Sequence, residues 1–143
     1  NALEQNNIGF DDKYLYEGDF HAQTGYEITR EIVVNGVDFD GIFAANDQMA
    51  IGAIKAIKEF GISVPEDIAV VGFDNIHVSS MIDPSLTTIN VPRYRMGASA
   101  AEMLIKKIKN ENVQAEVTVL PTNLIIRQST NLKGDKNWNL YGW

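Results

Sequence analysis

The chain has 143 residues, 45% hydrophobic and 22% charged, an ordinary globular balance that excludes disordered, collagen-like and fibrous classes, and it has no apolar run near the ~18 residues of a membrane span. It contains no cysteine and 2 histidines, His21 and His77, which excludes disulfides, thiolate metal sites and cysteine nucleophiles and argues against a histidine-rich metal centre or proton relay; no metal or cofactor is expected. The net charge of -7, from 19 acidic and 12 basic residues, argues against nucleic-acid binding by this chain itself, because phosphate contacts need clustered Lys and Arg.

Residues 2–6 read as the end of a helix that starts upstream, and residues 13–17 (KYLYE) predict a short strand leading into Gly18-Asp19-Phe20. Residues 22–34 read as a helix closed by the stop pair Asn35-Gly36. Residues 41–45 (GIFAA) are a strand-length apolar run, Asp47 is a good N-cap for a helix over 48–60, Gly61 ends that helix, and 64–67 (VPED) is a turn. Residues 68–73 (IAVVGF) are apolar throughout rather than alternating, the mark of a strand covered on both faces in a parallel sheet. After a loop at 75–85 come a strand at 86–90 and a helix entered at Pro92 and running to about Lys109. A polar connection at 110–116, strands at 117–120 and 123–127 (NLIIR) and an unpatterned stretch over 129–143 complete the chain. Strand and helix alternate at a spacing that predicts an α/β fold, a doubly wound parallel sheet flanked by helices.

In such sheets, ligands bind beyond the carboxyl ends of the strands. Asp19 and Phe20 follow the first predicted strand, Asn46 and Asp47 the second, Asp74 and Asn75 the third. An aromatic face, an amide and a carboxylate suit a small polar ring such as a sugar or a nucleobase: the aromatic covers a face, Asp accepts hydroxyl hydrogens, and Asn both donates and accepts. Each residue also has a plain structural reading. Phe20 could be core, Asn46 and Asp74-Asn75 turn chemistry, Asp47 only a helix cap, Gly72 a close-packing residue and His77 an exposed loop residue. In the helix over 48–60, Met49, Ala50, Ala53, Ala56, Ile57 and Phe60 share one face, while Ile51 projects between Lys55 and Lys58, either as a stray exposed residue or as an anchor for a partner subunit. No dinucleotide fingerprint, P-loop or nucleophile elbow occurs, and no acid–base constellation points to an enzyme.

The segment Phe43-Ala44-Ala45-Asn46-Asp47-Gln48-Met49-Ala50-Ile51-Gly52-Ala53 resembles the F-x-A-N-D-x-M-A-x-G-A stretch of lactose-repressor-type (LacI/GalR) transcription regulators. The run from Gly61 through Val64-Pro65-Glu66-Asp67-Ile68 to Gly72-Phe73-Asp74-Asn75, then Pro84-Ser85-Leu86-Thr87-Thr88-Ile89, Met96-Gly97 and Leu120-Pro121-Thr122-Asn123-Leu124-Ile125-Ile126-Arg127-Gln128-Ser129-Thr130, are similar to the same family in register, so the likeness covers about residues 1–130. The resemblance implies an incomplete effector-binding core of the periplasmic-binding-protein type, in which two subdomains clasp a small ligand, usually a sugar or nucleobase. It implies a ligand site at Phe20, Asn46 and Asp74, and a homodimer interface at Ile51, Met81 and Ile82. DNA would be bound only through a separate helix-turn-helix domain outside this chain, in the cytoplasm and without a membrane. By the same likeness, residues 1–91 are C-terminal subdomain, 92–122 a helix and strand of the N-terminal subdomain, 123–130 a return strand and 131–143 an irregular tail. The apolar residues Met96, Ala100, Met103, Leu104 and Ile108 then need cover from elsewhere, and Val91 stands where some members carry a polar ligand residue. A periplasmic sugar-binding protein of a transport system is the competing expectation.

Overall fold

The computed structural model describes residues 2–109 and 117–134. A four-stranded sheet carries the order β1 (Gly41–Phe43), β2 (Ala69–Asp74), β3 (Thr87–Asn90), β4 (Asn123–Ile125). β1 pairs with β2 and β2 with β3 in parallel, while β4 runs antiparallel on β3 with Ile89 opposite Leu124. The helices are α1 (Ala2–Gln5), α2 (Ala22–Val34), α3 (Asp47–Glu59) and α4 (Arg93–Lys109). The expected α/β architecture is met: a sheet dominated by parallel pairing with flanking helices, closed at one edge by a single antiparallel strand.

Ala44, Ala50, Ile54, Ile57, Ile68, Val70 and Leu86 form the core between α3 and the sheet, with Ile57, Val70 and Leu86 wholly buried. Each large aliphatic side chain in that set contributes about 1.5–3 kcal/mol of burial. α2 lies against α3 rather than on the sheet, and the crossing is close because it is lined by glycine. A Cβ on Gly52 would collide with the Ala22 carbonyl oxygen and press on the Tyr26 amide nitrogen of α2. The face predicted for this helix is thus too narrow: Ile54 is buried as well, whereas Phe60 at its end is 44% exposed. Ile51 is not a bare surface residue either; it is half-buried and packs against the core cluster.

Other expectations need correction. Residues 13–17 form no strand. Asp11 accepts the Lys13 amide at 3.1 Å and starts a 3-10 turn at Asp12–Tyr14, so local side-chain capping wins over strand pairing. The 3-10 turn leads into extended chain that joins no ladder. Residues 117–120 form no strand for a related reason: Val117 is 90% and Val119 85% exposed, and no described residue offers them a ladder. The last strand stops at Ile125 instead of Arg127, and the loop at 75–85 contains a 3-10 turn at His77–Ser80. His77 is half-buried, with both ring nitrogens shielded from solvent, rather than exposed. α4 forms as expected, yet none of its residues is buried, and Tyr94, Leu104 and Ile108 face outward. The connection expected at 110–116 and the tail from 135 onward lie outside the described residues.

Candidate functional site

The carboxyl ends of β1, β2 and β3 lie along one edge of the sheet, with Asp74 and Asn90 as register partners at the ends of β2 and β3. Asn46, three residues beyond β1, is the N-cap of α3: its Oδ1 accepts the Met49 amide at 2.9 Å. Its Nδ2 donates to the Phe20 carbonyl at 2.8 Å, which ties the Gly18-Asp19-Phe20 turn to the head of α3. Each end of that amide keeps one further hydrogen-bonding position. Asn46, not Asp47, therefore caps this helix.

Phe20 sits at φ 68, a left-handed conformation that favours glycine, and its side chain is 60% exposed, so it is not a core residue. The turn that presents it is anchored by Asp19. Bonds from the Thr24 side chain and the His21 amide hold the Asp19 carboxyl below the ordinary carboxylate range. Phe20 also lines a cavity of about 870 Å³ together with Phe10, Tyr16, Ile28, Phe43 and Met49. Asn46 and Asp74 do not line that cavity.

Asp74 and Asn75 have φ values of 104 and 51, two successive left-handed non-glycine residues. Each such residue costs about 1–3 kcal/mol and persists only where its surroundings over-determine it. Here they do. The Asn75 amide donates to Thr88 Oγ1 at 3.2 Å, its Nδ2 donates to Asn90 Oδ1 at 2.9 Å, and its Oδ1 accepts from the Arg127 guanidinium at 2.9 Å. The Asp74 and Asn75 carbonyls both accept from Arg93, at 2.9 and 3.2 Å. Among the described residues, nothing donates a hydrogen bond to the Asp74 carboxylate, which leaves its oxygens able to accept.

Two residues of this framework escaped the sequence reading. Asp47 is fully buried, accepts from Thr88 Oγ1 at 2.5 Å and from the Ile76 amide at 2.8 Å, and joins α3 to the strand ends. Burial pushes its carboxyl above the ordinary range, against the opposing effect of those two bonds and of Arg127; the charge of Asp74 adds to the rise. Gly72 makes room for this carboxylate: a Cβ there would collide with Asp47 Oδ1 and touch Leu86. Arg127 is 4% exposed and donates to Ser79 Oγ at 3.1 Å and to the Leu86 carbonyl at 2.9 Å as well as to Asn75. Its signal was present in the alternation of NLIIR, which puts Arg127 on the inward face with Ile125 while Leu124 and Ile126 are each 51% exposed. Asp47 was hidden because Asp is itself a favoured cap.

The Asn46 amide and the open Asp74 carboxylate at the ends of β1 and β2 can hydrogen-bond a small polar ring; Phe20, expected to follow a strand, follows extended chain instead, because the strand over residues 13–17 does not form. Among the described residues, no group of acidic or histidine side chains could hold a metal, and no helix is long and apolar enough to cross a membrane. The sequence matches the periplasmic binding protein-like domain over residues 1–130. This chain belongs to that family. Over 128 residues it is 38% identical to the HTH-type transcriptional repressor PurR of Histophilus somni, which covers 90% of this chain and 38% of that repressor. A LacI family transcriptional regulator from Enterococcus faecium with bound ribose superposes with a TM-score of 0.81 at 36% identity, over 90% of this chain and 48% of that one. The lac repressor dimer bound to operator and the anti-inducer ONPF superposes with a TM-score of 0.79 at 34% identity, over 90% and 38%. The resemblance to lactose-repressor-type regulators is thereby borne out, and these relatives are regulators rather than enzymes. The periplasmic binding protein-like chain described here spans 38% of the length of the PurR relative.

Proposed function

We propose that this chain is the effector-sensing part of a LacI-type, DNA-binding transcriptional regulator, and that its effector is a sugar. The observation that carries the reading is the Asp74 carboxylate, open among the described residues and held on a doubly left-handed turn at the end of β2. Asp74 accepts sugar hydroxyls, Asn46 donates and accepts through its remaining positions, and Phe20 covers the apolar face of the ring. The ribose held by the Enterococcus faecium neighbour makes a pentose the first candidate. DNA is contacted through a part of the protein beyond this chain, in the cytoplasm, and the sensing part performs no catalysis. The regulator works as a homodimer through Ile51, Met81 and Ile82; Met81 is 42% exposed, and the other two, half-buried, keep apolar surface to share.

The test is a titration of the full-length protein with D-ribose, followed by thermal shift, since specific binding raises the midpoint. Asp74→Ala should weaken binding by about 1.5–3 kcal/mol, the worth of hydrogen bonds to a charged group. An unchanged affinity would remove Asp74 from the site.

A further inference from the structure

α4 buries none of its residues, yet its first residue reaches back to the strand ends. One terminal nitrogen of the Arg93 guanidinium donates to the Asp74 carbonyl at 2.9 Å, and the other to the Asn75 carbonyl at 3.2 Å. These carbonyls belong to the two consecutive left-handed residues, and they lie close enough to share one planar fork. The other fastenings of the turn come from the sheet and its surroundings: Thr88 and Asn90 on β3, Arg127 after β4, and Asp47 at the head of α3, which holds the Ile76 amide. Arg93 is the fastening that comes from α4.

We propose that Arg93 is a positioning residue: its fork sets the geometry of the Asp74–Asn75 turn and makes the aim of the Asp74 carboxylate depend on where α4 lies. The ligand half of this statement rests on the sugar-sensing reading above; the mechanical half does not. A left-handed pair has no intrinsic preference for its conformation, so the turn follows whatever fixes its carbonyls. Displacing the start of α4 removes both acceptors' partner at once, and the turn is then held from the sheet side alone. Conversely, a ligand on Asp74 that favours the clamped turn favours the α4 position that supplies the clamp, as linkage requires. Lysine substitutes only in part, because a point charge does not span two carbonyls in fixed geometry.

Arg93 is exposed, so its variants should fold. The experiment is amide hydrogen exchange on the full-length protein, comparing wild type, Arg93→Ala and Arg93→Lys, with and without D-ribose. Exchange at Asn75 and Ile76 should quicken about tenfold in Arg93→Ala, the effect of losing a charge-assisted hydrogen bond, and Arg93→Lys should restore it only in part. Exchange at Ala50 and Ile57, in the core of α3, should not change, which a general loss of stability would not reproduce. Ribose affinity should fall about tenfold in Arg93→Ala, in step with the exchange. Unchanged exchange at Asn75 and Ile76 would overturn the clamp, and quickened exchange with full ribose affinity would overturn its link to the ligand. Failure of wild type to bind ribose would sink the choice of ribose, while the exchange data would still decide the clamp.

Discussion

Replacing the fully buried Asp47 by alanine removes the acceptor of two bonds, those from Thr88 Oγ1 and from the amide of the half-buried Ile76. Thr88 is itself wholly buried, so its hydroxyl cannot turn to water. The buried Thr88 hydroxyl left without a partner costs about 1–3 kcal/mol, and the Ile76 amide, in a half-buried residue, costs at most as much again, less what is regained by no longer burying a carboxylate. Asp47→Asn should cost less, about 1–3 kcal/mol, because its one amide oxygen still accepts from Ile76 while its NH2 cannot replace the acceptor of the Thr88 hydroxyl hydrogen. Urea unfolding followed by circular dichroism measures both. The same variants carry a pH signature. Burial raises the Asp47 carboxyl above its ordinary value of 3.8, so the folded chain holds that proton more tightly than the unfolded chain does. This contribution to stability is present at acid pH and is withdrawn as pH rises from the ordinary value through the raised one. Asp47→Asn should flatten the pH dependence over that window. A change below about 0.5 kcal/mol for Asp47→Ala, the size expected of an ordinary surface substitution, would refute the idea that this carboxylate ties α3 to the strand ends.

Gly52→Ala should destabilise the fold by about 1–3 kcal/mol, because a Cβ meets the Ala22 carbonyl and α2 must lift off α3; an unshifted urea midpoint would mean the crossing has slack. Leu86→Ala, at a wholly buried site, should cost about 2–5 kcal/mol in the same assay. Ile51→Glu in the full-length protein should shift sedimentation toward monomer if α3 carries the subunit interface, and an unchanged profile would place that interface elsewhere.

Much of the fold was legible in the sequence because its signals are local. The unbroken apolar run around Val70 announces a strand, although it is buried on one face only, at Val70 and Gly72, with Ala69, Val71 and Phe73 half-buried on the other; α2 and α4 follow from periodicity and from Asn35-Gly36 and Pro92. The order of strand ends also singled out Asn46 and Asp74 in advance, since connectivity alone sets which residues follow each parallel strand. Residues 13–17 and 117–120 have strand-like composition but no strand, because a strand is completed by hydrogen bonds to a neighbour that its own sequence does not specify. The cap expected of Asp47 falls to Asn46 for a similar reason. Both residues can cap a helix, and what decided between them was the Thr88 hydroxyl, 41 residues away, waiting for a carboxylate behind Gly72. Sequence thus determined the element types, their order and the residues at the strand ends. Tertiary structure decided which polar groups are buried together, because Asp47, Asn75, Thr88, Arg93 and Arg127 acquire their partners only when distant segments meet away from water.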